Sequence, residues 1–507
     1  MVRRASARAA KHAQRARPPQ VNPCPPGGVG GQYKPLSDAQ VQRIYAESLR
    51  ILEAVGMADV PKILHQQAIS KGAKVNAMGR LSFPAAMVEN ILTGACKEFT
   101  LYSRDGQRDI QVGGDRVYFG TGGAAVQTLD FHNHEYRPST LDDLYQFTRL
   151  VDQLPNVSWF TRCCIATDVQ DLYELDVNTA YALLRGTSKP VATAFTVAES
   201  VDPIVDMFDI ALGGKGRFAQ QPFCKAHVSP IISPLKYGDD AVQVALACMR
   251  RGVPISNIVA AMTGATSPAP LAGTLALTLA ETLAALVMIN VFEPGYPMIF
   301  SNWPLVIDLR TGAFRGGGGE MALLNAASAQ LSNSLGLPSG CGSSMTDAKV
   351  PDAQMGMEKA ITALSCGLAG GNMVYESSGM MASLLGASFE AFVMDDEMLS
   401  HVHRCIRGIE VDEASFGFQS IVAAVTGSGH FIDQPETMLA MERDYYYPLI
   451  ADRHEPAVWQ EKGAKDHWQR ARQRVTELLQ HHPQYLDKVA DQAIRQNYPI
   501  LDTIAAL

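Results

Sequence analysis

Three titratable side chains stand where packing alone explains them poorly. Glu376 lies in NMVYESSGM among small and apolar neighbours, His430 follows a Gly-Ser-Gly turn in GSGHF, and His227 closes the run FCKAHVS. His227 reads equally well as a satisfied interior histidine. Gathered in one pocket, a carboxyl and two imidazoles suit metal-assisted hydrolysis or elimination, or the orientation of a charged substrate. Other familiar chemistry is missing. The chain has no nucleophile elbow, no phosphate-cradling glycine loop with its lysine, and no H-E-x-x-H. RGGGGE (315–320) lacks that lysine and reads as a tight loop. The pairs His132/His134 and His401/His403 have the i, i+2 spacing of strand ligands. The first falls in a hairpin and the second on a helix, where i and i+2 diverge, so no metal site is expected.

The bulk composition narrows the class. A chain of 507 residues with 47% hydrophobic and 19% charged content is that of a folded globular enzyme. Its net charge of -8 gives no footing for nucleic acid. Nine scattered cysteines without a C-x-x-C pair, and no secretory signal, point to reduced thiols and a cytoplasmic setting. LAGTLALTLAETLAALVMINVF (271–292) is long enough to span a bilayer. It carries Glu281 near its middle and has no basic flanks, which predicts a buried helix and no membrane partner. The first 20 residues are basic and acid-free, which suits an arm laid on a neighbouring subunit of a homo-oligomer; a transit peptide is the alternative.

Positioning these residues requires a scaffold. Residues 1–36 read as a basic, Pro/Gly-rich arm, and 37–155 as a mixed α+β appendage. From 156 to 436 short apolar runs alternate with helical stretches, at 159–166, 190–196, 223–229, 255–262, 297–302, 337–343, 372–377 and 420–427. Eight strand–helix units predict an α/β fold, a (β/α)8 TIM barrel, with 437–507 as a C-terminal helical tail. The sixth run, LPSGCGS, has the weakest strand character. In such a barrel chemistry belongs to the loops after the strands. The loop SSMTDAKVPD (343–352) then forms one wall of the pocket, with Glu376 and His430 beside it. Asp352, just before a helical run, reads as an N-cap.

Several ordered blocks carry a resemblance: MTGATSPAPLAGTLALTLAE (262–281), DLRTGAFRGGGGE (308–320), TDAKVPDAQMGMEK (346–359), YESSGMM (375–381), VMDDEM (393–398) and GSGHF (427–431). Over nearly its whole length the chain resembles the trimethylamine methyltransferase family, in particular the branch without pyrrolysine that includes glycine betaine methyltransferases. The resemblance implies a barrel that moves a methyl group from an amine to the Co(I) of a corrinoid (cobalamin) carried by a partner protein. It implies no cofactor bound in this chain. Trimethylamine enzymes carry pyrrolysine near the TDAK block, where this sequence has Gly342-Ser343-Ser344-Met345. It also has Glu436 where the family often has histidine.

A methyl group leaves nitrogen readily when the amine departs neutral. A quaternary ammonium does so unaided, whereas a tertiary amine needs activation first. The expected substrate is therefore a betaine-like quaternary amine. Trp303 is the first candidate for a cation–π face, with Tyr118, Phe119 and Phe195 as further ones. Glu376 would set the cation's position. His227, His430, Ser343 and Ser344 would hold a substrate carboxylate or orient the leaving group, and Asn302 lies at the same strand end as Trp303. A metal-assisted hydrolase or lyase built on His227, Glu376 and His430, and a binding protein without catalysis, are the alternatives.

Overall fold

The computed structural model describes residues 22–502, so the basic stretch 1–20 lies outside the described residues. Eight parallel strands follow one another around a ring: β1 (Arg116–Gly120), β2 (Val157–Thr161), β3 (Val191–Thr193), β4 (Cys224–Val228), β5 (Ile255–Met262), β6 (Met298–Ile307), β7 (Ser339–Gly342) and β8 (Met373–Tyr375). β8 pairs with β1, and β1 pairs with β2, which closes the ring. A helix returns outside after each strand: α1 (Leu141–Asp152), α2 (Leu172–Gly186), α3 (Val201–Ala211), α4 (Asp239–Arg250), α5 (Leu271–Phe292), α6 (Gly319–Ser334), α7 (Ala353–Leu368) and α8 (Phe389–Arg407). Local chemistry fixes where several of them start. Thr140 forms a capping box on α1, and Asp171, Asp352 and Ser388 accept backbone N–H groups at the heads of α2, α7 and α8.

The ring is shifted by one unit from the sequence expectation. Its first strand, Arg116–Gly120, lies inside the stretch read as an appendage, and its eighth is Met373–Tyr375. The run 420–427 is not a strand but the helix α9 (Phe418–Thr426). A short apolar run rich in Val and Ile has no period that separates strand from helix, so SIVAAVTG was ambiguous. RVYFG was hidden among hairpins, since only ring closure distinguishes it from them.

Side chains alternate across the ring as a pleated strand requires. Trp159, Lys225, His227, Ser256, Ser301, Trp303 and Tyr375 meet inside it, while Phe160, Ala226, Val259 and Val374 face the helices. The weak strand β7 owes its composition to this interior. A Cβ on Gly340 would meet the Ser301 hydroxyl, and one on Gly342 would lie 2.7 Å from the Trp303 ring. The antiparallel hairpin Glu98–Leu101/Ile110–Gly113 closes the N-terminal end of the ring, and its Leu101, Ile110 and Val112 pack with Trp159, Ile299 and Met373. The strand Gly28–Val29 adds antiparallel to the start of β1, so this part of the arm is tied to the barrel.

Helix α5 passes the length and hydropathy test for a membrane span, yet 94% of its apolar window is buried inside the protein. Glu281 explains its polar interruption. Its carboxylate accepts the Ser233 hydroxyl at 2.6 Å and the Leu235 N–H at 2.7 Å, clamping the loop after β4 to the helix. Burial pushes its carboxyl up to about 7.

Candidate functional site at the barrel mouth

Tyr375, the last residue of β8, is the hub of the interior. Its ring centroid lies 5.3 Å from Trp159, 5.3 Å from Trp303 and 5.1 Å from His227. Its hydroxyl shares a hydrogen bond of 2.9 Å with Ser256, which pairs in turn with Ser301 at 2.9 Å. Burial drives the phenol well above its ordinary range, so it stays neutral.

Glu376 follows directly and leaves the strand in a left-handed conformation, with φ of 64°. A non-glycine residue there is strained, and such strain persists where the surroundings impose it. The turn after β1 makes the room. A Cβ on Gly122 would come within 2.5 Å of Glu376 Oε1, and one on Gly123 within 2.9 Å of Oε2. The side chain is buried, and Oε2 has no hydrogen-bond partner among the described residues. Burial raises the carboxyl to about 8, opposed by the charge of Lys359 and the Gly123 N–H. A carboxyl held uncharged near neutral pH, at the C-terminal end of a barrel strand, makes Glu376 the leading candidate for a functional group.

The loops around it are knitted together. Glu358 accepts the Thr346 hydroxyl at 2.7 Å and the Asp347 N–H at 2.8 Å. Asp347 accepts the Gly316 N–H and the Ser383 hydroxyl, so the glycine-rich RGGGGE, the TDAK loop and the loop after β8 form one rim. The acids of the TDAK block thus build the wall. Below the rim, Lys359 and Asp395 form a fully buried ion pair of 2.6 Å, and Asp395 also accepts the Gly379 N–H. This pair ties α7, α8 and the Glu376 loop together.

Of the sequence candidates, His227 and Trp303 pack on the Tyr375 ring, and Glu376 is the next residue along the chain, its side chain in the slot left by Gly122 and Gly123. His227 is half-buried inside the ring. Ser344 is buried in the rim loop with φ of 63°, and its hydroxyl has no partner among the described residues. The others are corrections, and strand alternation explains most of them. Phe119 points outward, packing its ring 5.1 Å from His403 on α8. Asn302 shares the outer face with Val259, its register partner. Ser343 donates to the Thr362 carbonyl on α7. Phe195 is buried in the outer core between strands and helices. Tyr118 points inward but packs with the hairpin cluster that closes the opposite end. His430 lies on an exposed turn after α9 with Asp433 at 3.4 Å. His134 stacks on Trp468, and His403 packs its ring against Phe119. Among the described residues no cluster of three or more His, Cys, Asp or Glu side chains is arranged to hold a metal ion.

Lys225 was missed. It is wholly buried, with Nζ 3.0 Å from His227 Nε2, 4.4 Å from the Tyr375 ring centroid and 5.7 Å from that of Trp159. The signal was present in CKAHV, because i and i+2 share a strand face. Burial drives Lys225 far below the usual lysine range, and burial, then the charges of Lys225 and Arg162, drive His227 far below its own. His227 is therefore a neutral imidazole throughout the physiological range. Lys225→Met, which keeps the bulk and removes the amine, is expected to move the His227 titration upward. The ring 15N shifts of His227 followed against pH read this directly.

Compared with known proteins, the chain matches the profile of the family described as Trimethylamine methyltransferase (MTTB) over residues 3–499. The chain belongs to the trimethylamine methyltransferase family. Within it, the chain is 29% identical over 465 residues to the glycine betaine methyltransferase of Desulfitobacterium hafniense strain Y51, covering 91% of this chain and 95% of that protein. It is 28% identical to the trimethylamine methyltransferase MttB of D. hafniense DCB-2, covering 88% of this chain and 89% of the relative. The solved monomethylamine methyltransferase of Methanosarcina barkeri overlays 90% of this chain and 95% of its own, at 12% identity and a TM-score of 0.45. Closure of the barrel rests on the strand pairing itself. The block YESSGMM ends β8 and carries the buried Glu376.

Proposed function

We propose that this methyltransferase takes a methyl group from a quaternary, betaine-like ammonium and delivers it to the Co(I) of a corrinoid held by a separate protein. The observation that carries this reading is a buried carboxyl, Glu376, in the residue after the end of β8, next along the chain to Tyr375, whose ring packs against Trp303 and Trp159 inside the barrel. Family membership and the likeness to a glycine betaine methyltransferase support the substrate class.

The bond that breaks is N–CH3 and the one that forms is Co–CH3. The cobalt supplies the electron pair, passing from Co(I) to Co(III), and the nitrogen keeps the pair of the broken bond and leaves as a neutral amine. No proton is required. The task of the chain is to hold the cation with one methyl directed out of the mouth, and alignment of this kind contributes roughly 7–11 kcal/mol in favourable cases. Trp303, nearly buried, offers a ring face, and Glu376 offers charge once ionised. Neutral His227 is suited to donate to a substrate carboxylate without adding positive charge beside an ammonium. A strong grip on the cation would oppose the reaction, because positive charge leaves nitrogen as the bond breaks. A carboxyl that is uncharged in the free protein at neutral pH limits that grip.

Mixing the protein with a reduced corrinoid protein and a panel of betaines tests the proposal. The cobalt spectrum should pass from Co(I) to methyl-Co(III) with at least one quaternary amine, and silence across the panel would overturn it. Trp303→Leu is expected to weaken onium binding about 3- to 30-fold, matching a cation–π contact of roughly 0.5–2 kcal/mol. Calorimetric titration measures it. The metal-hydrolase reading loses its geometry, since His430 stands apart from His227 and Glu376.

A further inference from the structure

Arg162 is the residue after the end of β2, and its N–H bonds the Ala192 carbonyl of β3 at 3.2 Å. It therefore stands at the C-terminal rim of the ring, between two neighbouring strands. Its guanidinium is half-buried and, among the described residues, makes no hydrogen bond or ion pair. By contrast, Arg104 bonds the carbonyls of Leu184 and Thr187, and Arg149 bonds those of Leu479 and His481. A guanidinium keeps its charge and its five N–H donors, and leaving them unpaired away from bulk water is costly. The carboxylate that acts most on Arg162 is Asp176 on α2. Its two oxygens are already taken, accepting the Thr196 N–H at 2.8 Å and the Thr196 hydroxyl at 2.7 Å. Asp176 thus ties the loop after β3 to α2 and leaves the arginine free.

Two further polar groups share this side of the mouth. Thr161 ends β2 and by strand alternation faces the inside with Trp159, and its hydroxyl oxygen is buried without a partner. The register Thr161–Ala192–Lys225 runs across β2, β3 and β4. It sets Arg162 one residue below the level of His227, two strands or about 10 Å away. The charge of Arg162 is felt there, since it helps to lower His227.

The other half of the ring has the opposite character. In a closed ring of eight, β6 lies across from β2 and β8 across from β4. β6 brings Trp303, and Glu376 follows β8. An aromatic face and a carboxyl suit a cation, whereas an unpaired guanidinium beside neutral donors suits an anion. An onium ion without an acid group would leave Arg162 unpaired. A small molecule carrying both charges a few bonds apart answers both halves. Resting on the quaternary-amine reading above, we propose that Arg162, flanked by the Thr161 hydroxyl and His227, anchors the substrate's carboxylate and selects betaines over onium ions that lack an acid group. The planar fork binds both carboxylate oxygens at once, which fixes orientation as well as charge.

The test separates the two ends of the substrate. Transfer to a reduced corrinoid protein is compared for glycine betaine and for tetramethylammonium, which has no carboxylate. Arg162→Met should raise KM for glycine betaine about 30-fold, the scale of losing hydrogen bonds to a charged group, with kcat changed far less. The ratio of kcat/KM for glycine betaine over tetramethylammonium should fall by a similar factor. Arg162→Lys keeps the charge but not the fork and should recover part of the loss; where Arg162→Met fails to fold, it carries the same comparison. Calorimetric titration with 3,3-dimethylbutanoate reads the anchor without cobalt, since this probe has the shape and carboxylate of glycine betaine with carbon in place of nitrogen. It should bind the wild type, and bind Arg162→Met about 10-fold more weakly. Equal losses for the two onium ions, or 3,3-dimethylbutanoate binding that is absent from the wild type or undiminished in Arg162→Met, would overturn the anchor and leave the methyl-transfer reading standing. Arg162-dependent binding of the probe, with no transfer from any quaternary amine, would keep the anchor and overturn that reading.

Discussion

Glu376→Gln should lower methyl transfer about 10²- to 10³-fold, the usual scale for removing one preorganised electrostatic group from an active site. The replacement keeps size and shape in a slot that Gly122 and Gly123 leave open. It removes only the capacity for charge. In the wild type the free carboxyl is raised to about 8 by burial, so it is neutral below that pH and ionised above it. Onium binding should therefore tighten as pH rises through about 8, and the glutamine variant should show no such rise. KM against pH for both proteins measures it, and a parallel rise in the variant would remove Glu376 from the site.

The same group makes a stability prediction of opposite sense. Its folded value lies above the ordinary 4.5, so the folded state binds the proton more tightly than the unfolded chain does. That contribution is present in full below about 4.5, erodes as pH rises, and is gone above about 8. Glutamine does not titrate. Glu376→Gln should thus melt near the wild type at pH 5 and clearly above it at pH 9.

Lys359→Ala should cost about 3–5 kcal/mol of folding stability, because it leaves Asp395 charged and alone in the interior. Both partners are wholly buried, and Asp395 also anchors the Gly379 N–H in the Glu376 loop. Urea unfolding measures the loss. Lys359→Met with Asp395→Leu removes both charges together and should recover most of it, since an apolar pair leaves no orphaned ion. The recovery should not extend to activity. Lys359 is the cation that holds the Glu376 carboxyl down against burial, so without it the pH-dependent rise in onium binding should move above about 8. Stability regained together with an unshifted pH profile would show that the ion pair acts on the fold alone.

The sequence determined what depends on neighbours in the chain. Alternating strands and helices announced an eight-fold barrel, Asp352 announced a helix start, and Glu281 in the middle of an apolar run announced a helix buried in protein rather than lipid. The blocks YESSGMM and TDAK fall on loops that join one rim, and Glu376 was legible at its strand end, whereas the strand read as 297–302 runs on past Trp303 to Ile307. What only the tertiary structure decided is which strands neighbour one another and which face each side chain takes. Strand register has a period of two, so an error of one residue turns a mouth residue outward, as happened for Phe119, Asn302 and Ser343. Ring closure is a long-range pairing with no local signature, which is why Arg116–Gly120 was read as part of the appendage's hairpins rather than of the ring, and 420–427 mistaken for a barrel strand. Lys225 beneath Tyr375 and His430 at the far end follow from the same cause: distance in space is set by the closed ring, not by spacing along the chain.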